Sequence, residues 1–238
     1  MNLIDNWPKT TEAAKEVQNQ LRDRVILQDQ FSAPKLIGGA DVGFEENGAI
    51  ARAAVVVLSF PSLERIEFAI ARTPTPFPYV PGFLSFREVP VILQAFDQLQ
   101  QKPDLILCDG QGYAHPRRFG LACHLGLLLN LPTIGVAKSH LIGTHEPLDL
   151  AKGSWQPLID REETIGAIVR SRHNCRPLYV SSGHRVSLPT AIELVLNCTP
   201  RYRLPETTRW ADAIASQRGS FKNPGSDTTH SQVIVNQP

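Results

Sequence analysis

Three consecutive strand-like runs with no helix between them constrain this chain more than any other feature. Residues 36–44, 50–60 and 66–72 are rich in aliphatic and β-branched side chains, and turn residues mark the joins at Asn47-Gly48 and Pro61-Ser62. Short joins of this kind link antiparallel neighbours, whereas a parallel pair needs a crossover of a dozen or more residues. The runs therefore predict an antiparallel meander. That counts against a doubly wound dinucleotide-type sheet, which alternates strand and helix throughout.

Beyond the meander the periodicities alternate. Residues 10–27 place Ala14, Val17, Leu21 and Val25 on one stripe and predict an amphipathic helix. A proline-rich loop over 73–82 leads into a helix whose apolar face is Val89, Ile92, Leu93, Phe96 and Leu99. Residues 105–108 read as a strand, 119–129 as a helix and 132–137 as a second buried strand. Later, 164–169 and 178–181 read as strands, and 190–197 and 206–217 as helices. Meander, helix, strand, helix, strand and then later helices is the order of the ribonuclease H-like α/β fold. Its mixed central sheet, an antiparallel meander followed by parallel strands, is flanked by helices. The first strand there lies beside the fourth, which makes Asp41 and Asp109 neighbours in space. A chain of 238 residues can build one large core, so a single domain over 1–218 is expected. Residues 219–238 are polar apart from Val233-Ile234-Val235 and read as a flexible tail.

A net charge of +1 neither demands nor excludes nucleic acid, because a local basic patch suffices for phosphate contact. No apolar run approaches the ~20 residues that cross a bilayer, and residues 1–6 lack a signal-peptide layout. Cys108, Cys123, Cys175 and Cys198 are far apart, which favours reduced thiols over a zinc site or disulfide framework. A cytoplasmic monomer with no membrane association is the expectation.

The chemistry rests on acids. Asp41 follows the apolar stretch 36–40, and Asp109 ends 104–108 with Gly110 and Gly112 close behind. Carboxylates at strand ends beside glycine suit a hard divalent cation such as Mg²⁺, with Mn²⁺ as a substitute. A carboxylate-held cation is a standard route to breaking a phosphodiester bond, so a metal-dependent nuclease is the leading reading. Glu88 has two readings: Ser85-Phe86-Arg87-Glu88 matches a helix capping box, yet the residue also lies between the two aspartates in sequence. Asp109-Gly110-Gln111-Gly112 fails as a dinucleotide fingerprint, since the third glycine would fall on His115; a simple turn is the alternative to a metal ligand. Lys138 sits just past a strand, either as an ordinary surface lysine or as a cation that meets a phosphate. Arg117 and Arg118 either hold phosphates or form a solvated helix start. His115 and His124 are wrongly spaced for a helical zinc pair, and residues 181–184 read as a loop without a nucleophile elbow. Tyr79 is braced by Pro78 and Pro81, with Val80 between, either as a stiff wedge for base steps or as a ring packed on the body. Asp212 lies on the last helix, either as an exposed surface acid or, in a ribonuclease H-like arrangement, as a further metal-site carboxylate.

Taken together, Gly39-Ala40-Asp41-Val42, the long segment 78–88, Asp109-Gly110-Gln111-Gly112 with His115-Pro116-Arg117, Gly135-Val136-Ala137-Lys138-Ser139, Ser182-Gly183-His184 and Arg203-Leu204-Pro205-Glu206 resemble the endonuclease V family, the deoxyinosine 3′-endonucleases. The resemblance implies that Asp41 and Asp109 bind Mg²⁺, that Glu88 completes the catalytic acids and that Lys138 offsets charge at the phosphate. Asp212 is a further candidate ligand. It implies a strand-separating wedge at Tyr79, a pocket for flipped hypoxanthine walled by Gly82, Leu84, Gly110 and Leu141, and His115 near the cut strand. The implied partner is DNA with deoxyinosine or other deaminated bases, cut at the second phosphodiester 3′ to the lesion. Two rivals stand beside it: a related nuclease acting on inosine-containing RNA or branched nucleic acid, and a damaged-base reader without catalysis.

Overall fold

The computed structural model describes residues 7–218; the tail expected at 219–238 lies outside the described residues. Its elements run α1 (Thr11–Leu21), β1 (Leu36–Glu45), β2 (Ile50–Ser59), β3 (Arg65–Pro74), α2 (Leu84–Asp97), β4 (Leu105–Cys108), α3 (Leu121–Leu129), β5 (Thr133–Ala137), β6 (Trp155–Asp160), β7 (Glu163–Val169), β8 (Leu178–His184), α4 (Leu188–Asn197) and α5 (Glu206–Ala215). One eight-stranded sheet has the order β3-β2-β1-β4-β5-β8-β7-β6. The meander β1-β2-β3 is antiparallel, β4 and β5 join β1 in parallel, and β8, β7 and β6 return antiparallel. The mixed sheet with flanking helices is the architecture expected from element order.

Three details differ from the sequence reading. Helix α1 ends at Leu21 and gives way to a short 3-10 turn, Arg22–Arg24, in which no residue is buried; without apolar contact the helix has nothing to extend for. Strand β6 was not anticipated, because Trp155 is exposed and Pro157 interrupts the pattern. It is an edge strand, where proline costs no ladder bond. Residues 181–184 belong to β8 rather than a loop, and their polar side chains are buried: Ser181, Ser182 and His184 are at most 5% exposed.

The period-2 alternation of the strands builds a core on each face. Ile37, Val56, Leu105 and Leu107 share one core with α4 and α5, while Ala40, Val55, Ile106 and Cys108 share the other with α2 and α3. Asp41 has the parity of Ile37, so it points to the α5 side. Gly39 and Gly43, which share that parity, are where α5 touches the strand. A Cβ on Gly39 would lie 2.2 Å from the Thr207 carbonyl oxygen, and one on Gly43 2.6 Å from that of Ala215. At ~1.5 Å per helical and ~3.3 Å per strand residue, Thr207 to Ala215 spans about 12 Å and Gly39 to Gly43 about 13 Å. The helix therefore lies along the strand, with Asp41 between its two contacts and Asp212 facing it. Arg52, buried beneath, donates to the carbonyls of Ile214 and Ala215 and closes the end of α5.

Gly39→Ala should push α5 off β1, at an overpacking cost of about 1–3 kcal/mol. The melting temperature of the variant is then expected to fall by roughly 5 °C. Calorimetry showing an unchanged Tm would mean that this contact does not seat the helix.

Candidate active site

Pairing between β1 and β4 stops at Ala40 and Cys108, and the next residue in sequence after each is an aspartate. The last link is the Asp109 N–H donating to the Ala40 carbonyl at 3.1 Å. Asp109 thus follows a strand end as expected. Asp41 does not: β1 continues to Glu45 on the β2 side, with Asp41 opposite Ala54. Asp41 lies where the parallel partner gives out, not where the strand does. One carboxylate oxygen from each of Asp41, Asp109 and Asp212 lies within 4.8 Å of the others. Lys138, just past β5, pairs with Asp109 and sits 3.5 Å from Asp212; Arg218 also pairs with Asp212. Arg203 fixes the backbone beneath Lys138, donating to the carbonyls of Lys138 (3.1 Å), Pro177 (2.9 Å) and Arg176 (2.7 Å).

Glu88 reaches this cluster from the first turns of α2. The capping box does not form. Gly82, at φ +82, and the Phe83 N–H bond to Val80 start the helix early, so its N-cap is Phe83 and Ser85 lies inside it. Ser85 Oγ is instead 3.1 Å from Nδ1 of the buried His124, whose ring stacks on Trp7 at 5.3 Å. Glu88 is buried at 6% exposure, near enough to Asp41 and Asp109 for both to disfavour its charge.

Beside the acids opens a cavity of about 310 Å³. Gly82, Leu84, Gly110 and Leu141 all stand on its walls, and so do Tyr79, Asp109, Lys138 and His115. Tyr79 is 71% exposed, which rules out the reading in which its ring packs on the body. Pro78 and Pro81 are exposed with it, while Phe77 and Val80 pack with Phe86 and anchor the loop. Gly135 lets the 109–112 loop fold across β5, since a Cβ there would lie 2.3 Å from the Gly112 nitrogen. Arg117 and Arg118 are engaged internally. Arg117 donates to the Gly82 carbonyl at 2.7 Å and stacks on Phe83; Arg118 pairs with Asp160 and Glu163. Support of the loop fits these placements better than phosphate contact. His115 accepts from the Arg117 N–H and faces the Gly82 carbonyl at 3.0 Å. Burial, then Arg117, pushes its pKa down to about 4, so the ring is neutral and its Nε2–H donates. Gln18 and Gln111, both on the cavity wall, escaped the sequence reading. Gln18 stands four residues after Ala14, a polar residue on the apolar stripe of α1.

Hard oxygen donors gathered this tightly suit a divalent cation of the Mg²⁺ or Mn²⁺ type, and among the described residues no histidine or thiol joins them to suggest a softer metal. Without a cation, their charges are poorly met. Burial and then Asp109 push the Asp41 pKa up to about 8; burial likewise raises Asp109 and, more strongly, Glu88. Burial opposes the charge of Lys138, but Asp109 beside it prevails and raises its pKa. A carboxyl raised on folding stabilises the fold while protonated. That contribution is complete below about pH 4, the unfolded value, and is lost as pH rises through about 8. In chelator, the melting temperature should therefore decline across this window, and Asp41→Asn should flatten the decline and raise Tm by a few degrees at its upper end. Parallel melting profiles for the two proteins would refute the assignment.

Comparison with known proteins converges on one family. The Endonuclease V family model matches residues 19–213. An endonuclease V of Trichormus variabilis is 63% identical over 213 residues, covering 89% of this chain and 96% of that protein. The crystal structure of endonuclease V from Streptomyces avermitilis superposes with a TM-score of 0.85 at 45% identity, covering 90% of this chain and 94% of that one. Ciona intestinalis endonuclease V, crystallised with a 24mer DNA containing an inosine followed by a ribo-adenosine, superposes at 0.78 with 32% identity, covering 87% and 96%. The fold, the grouping of acids from β1, β4 and α5, and these matches together make the chain a member of the endonuclease V family of nucleases.

Proposed function

We propose that this chain is a Mg²⁺-dependent endonuclease for DNA carrying deoxyinosine, cutting the second phosphodiester 3′ to the lesion and leaving the base in place. The observation that carries the reading is a single cavity with Asp109 and Lys138 on the same walls as Gly82, Leu84 and Tyr79. Base recognition and phosphodiester chemistry would then share one enclosure. The inosine DNA bound by the Ciona relative supports the substrate class.

Asp41, Asp109 and Asp212 would hold the cation, with Glu88 adding charge beside them. Once bound, it supplies Lewis acidity toward the phosphoryl oxygens and makes water more acidic. Lys138, held by Asp109, presents a positive charge to the transition state of the reacting phosphate. Tyr79 enters the base stack and holds the gap while the base is out. Gly82, Leu84 and Ser85 line the cavity, where α2 begins with no side-chain cap. The Phe86 N–H is taken by the Phe83 carbonyl at 3.0 Å, which leaves the N–H groups of Leu84 and Ser85 as donors for the hypoxanthine carbonyl. Adenine would put an amine against them, a costly mismatch when buried. One catalytic domain over 1–218, acting as a monomer in the cytoplasm, belongs to this reading. The four cysteines are free thiols, and no described helix is long and apolar enough to cross a membrane.

With Mg²⁺, purified protein should nick a deoxyinosine duplex at that position on a labelled strand, and chelator should stop it. No nicking at any protein excess would sink the proposal. Asp109→Ala should lower the rate by about a hundredfold or more. Because Tyr79 is exposed, Tyr79→Ala should leave Tm in place while raising the half-saturating enzyme concentration about tenfold, the scale of one lost stacking contact. An unfolded Tyr79 variant would contradict the wedge assignment.

A further inference from the structure

We infer that Gln18 is a positioning residue for lesion capture: from α1 it fixes the Gly82 peptide that joins the wedge loop to the cavity wall. The inference rests on the proposed reading of that cavity. Gln18 is 1% exposed, and both ends of its amide are engaged. Nε2 donates to the carbonyls of Gly82 at 3.0 Å and Phe119 at 3.2 Å, and Oε1 accepts from Arg117 Nε. The Gly82 carbonyl also receives Arg117 at 2.7 Å and His115 at 3.0 Å. Three donors, one of them charged, converge on one oxygen.

That convergence matters because of the residue it acts on. Gly82 sits at φ +82 and, lacking a Cβ, is free to rotate. On one side are the proline-braced Tyr79 and Val80; on the other, the Phe83 N–H closes a turn onto Val80 at 3.0 Å and α2 begins. Rotation here would swing the wedge relative to Leu84 and the helix start. His115 and Arg117 belong to the same loop as Asp109. Gln18 comes from a separate helix and ties that loop, the Gly82 turn and the Phe119 wall to one another. Only an amide supplies both a donor for the two carbonyls and an acceptor for Arg117. Glutamate would keep Arg117 as a partner but set an oxygen against both carbonyls. Leucine would leave Arg117 Nε without its acceptor. Gln18 touches none of the clustered acids, so its influence falls on capture of the base.

The test compares wild type with Gln18→Glu and Gln18→Leu. Single-turnover nicking of a deoxyinosine duplex in Mg²⁺ gives the half-saturating concentration and the saturated rate. Hydrogen–deuterium exchange on the protein alone reports residues 80–85, and melting reports the fold. The expected result for Gln18→Glu is a half-saturating concentration raised about tenfold, as for the loss of the two Nε2 hydrogen bonds to the Gly82 and Phe119 carbonyls, with a smaller change in saturated rate. Exchange at 80–85 should quicken while Tm stays near wild type. Unchanged half-saturation with unchanged exchange overturns the inference, as does a loss confined to the saturated rate or the collapse of folding in both variants. Should wild type itself fail to nick, the proposed function falls, and exchange still decides the clamp: faster at 80–85 in Gln18→Glu supports it, unchanged overturns it.

Discussion

Carboxylates repel one another, and a chain gathers three of them within reach of one ion only where packing leaves no alternative. The packing responsible here is the backbone contact between α5 and β1. Two glycines spaced to match one stretch of helix let α5 approach until Asp212 meets Asp41. Side chains at those positions would hold the helix away and open the cluster. Arg52 then secures the far end of α5 from below. The acid site is thus the product of a helix–strand seam whose close contacts are made at glycines on either side of Asp41.

The same seam explains the electrostatics. Glu88 is buried and Asp41 and Asp109 are half-buried on a fixed frame, so their repulsion and desolvation appear as reluctance to ionise. Lys138, its backbone held by Arg203, answers only part of the charge. A site strained in this way favours whatever brings concentrated positive charge, and binding it releases protons.

Much of the frame was legible in the sequence. The meander, the placement of the fourth strand beside the first and the meeting of Asp41 with Asp109 follow from element order and short joins. Asp212 was placed on the right helix, although nothing in the pattern signalled the glycine spacing that aims it. Other features were hidden for physical reasons. Ser85 and Glu88 carry the letters of a capping box, but the left-handed glycine before them moved the helix start. Trp155 and Pro157 disguise an edge strand, because such a strand need satisfy neither alternation nor a full ladder. Residues 181–184 read as a loop because they are polar, yet their partners lie across the sheet and the Asp109 loop. Gln18 broke an apolar stripe without any local clue to what it binds. The long segment 78–88 and the scattered short motifs mark the family from sequence alone.

One covalent fact has a consequence for accuracy. Asp109 and Gly110 are adjacent in the chain and both line the cavity, and Asp109 belongs to the acid cluster as well. Under the proposed reaction, the part that reads the base and the part that cuts the strand are joined by a single peptide bond. No hinge lies between them to add play. The interval from lesion to incision is then a fixed length, as on a ruler, and thermal motion of the surrounding loops would blur when the strand is cut but not where.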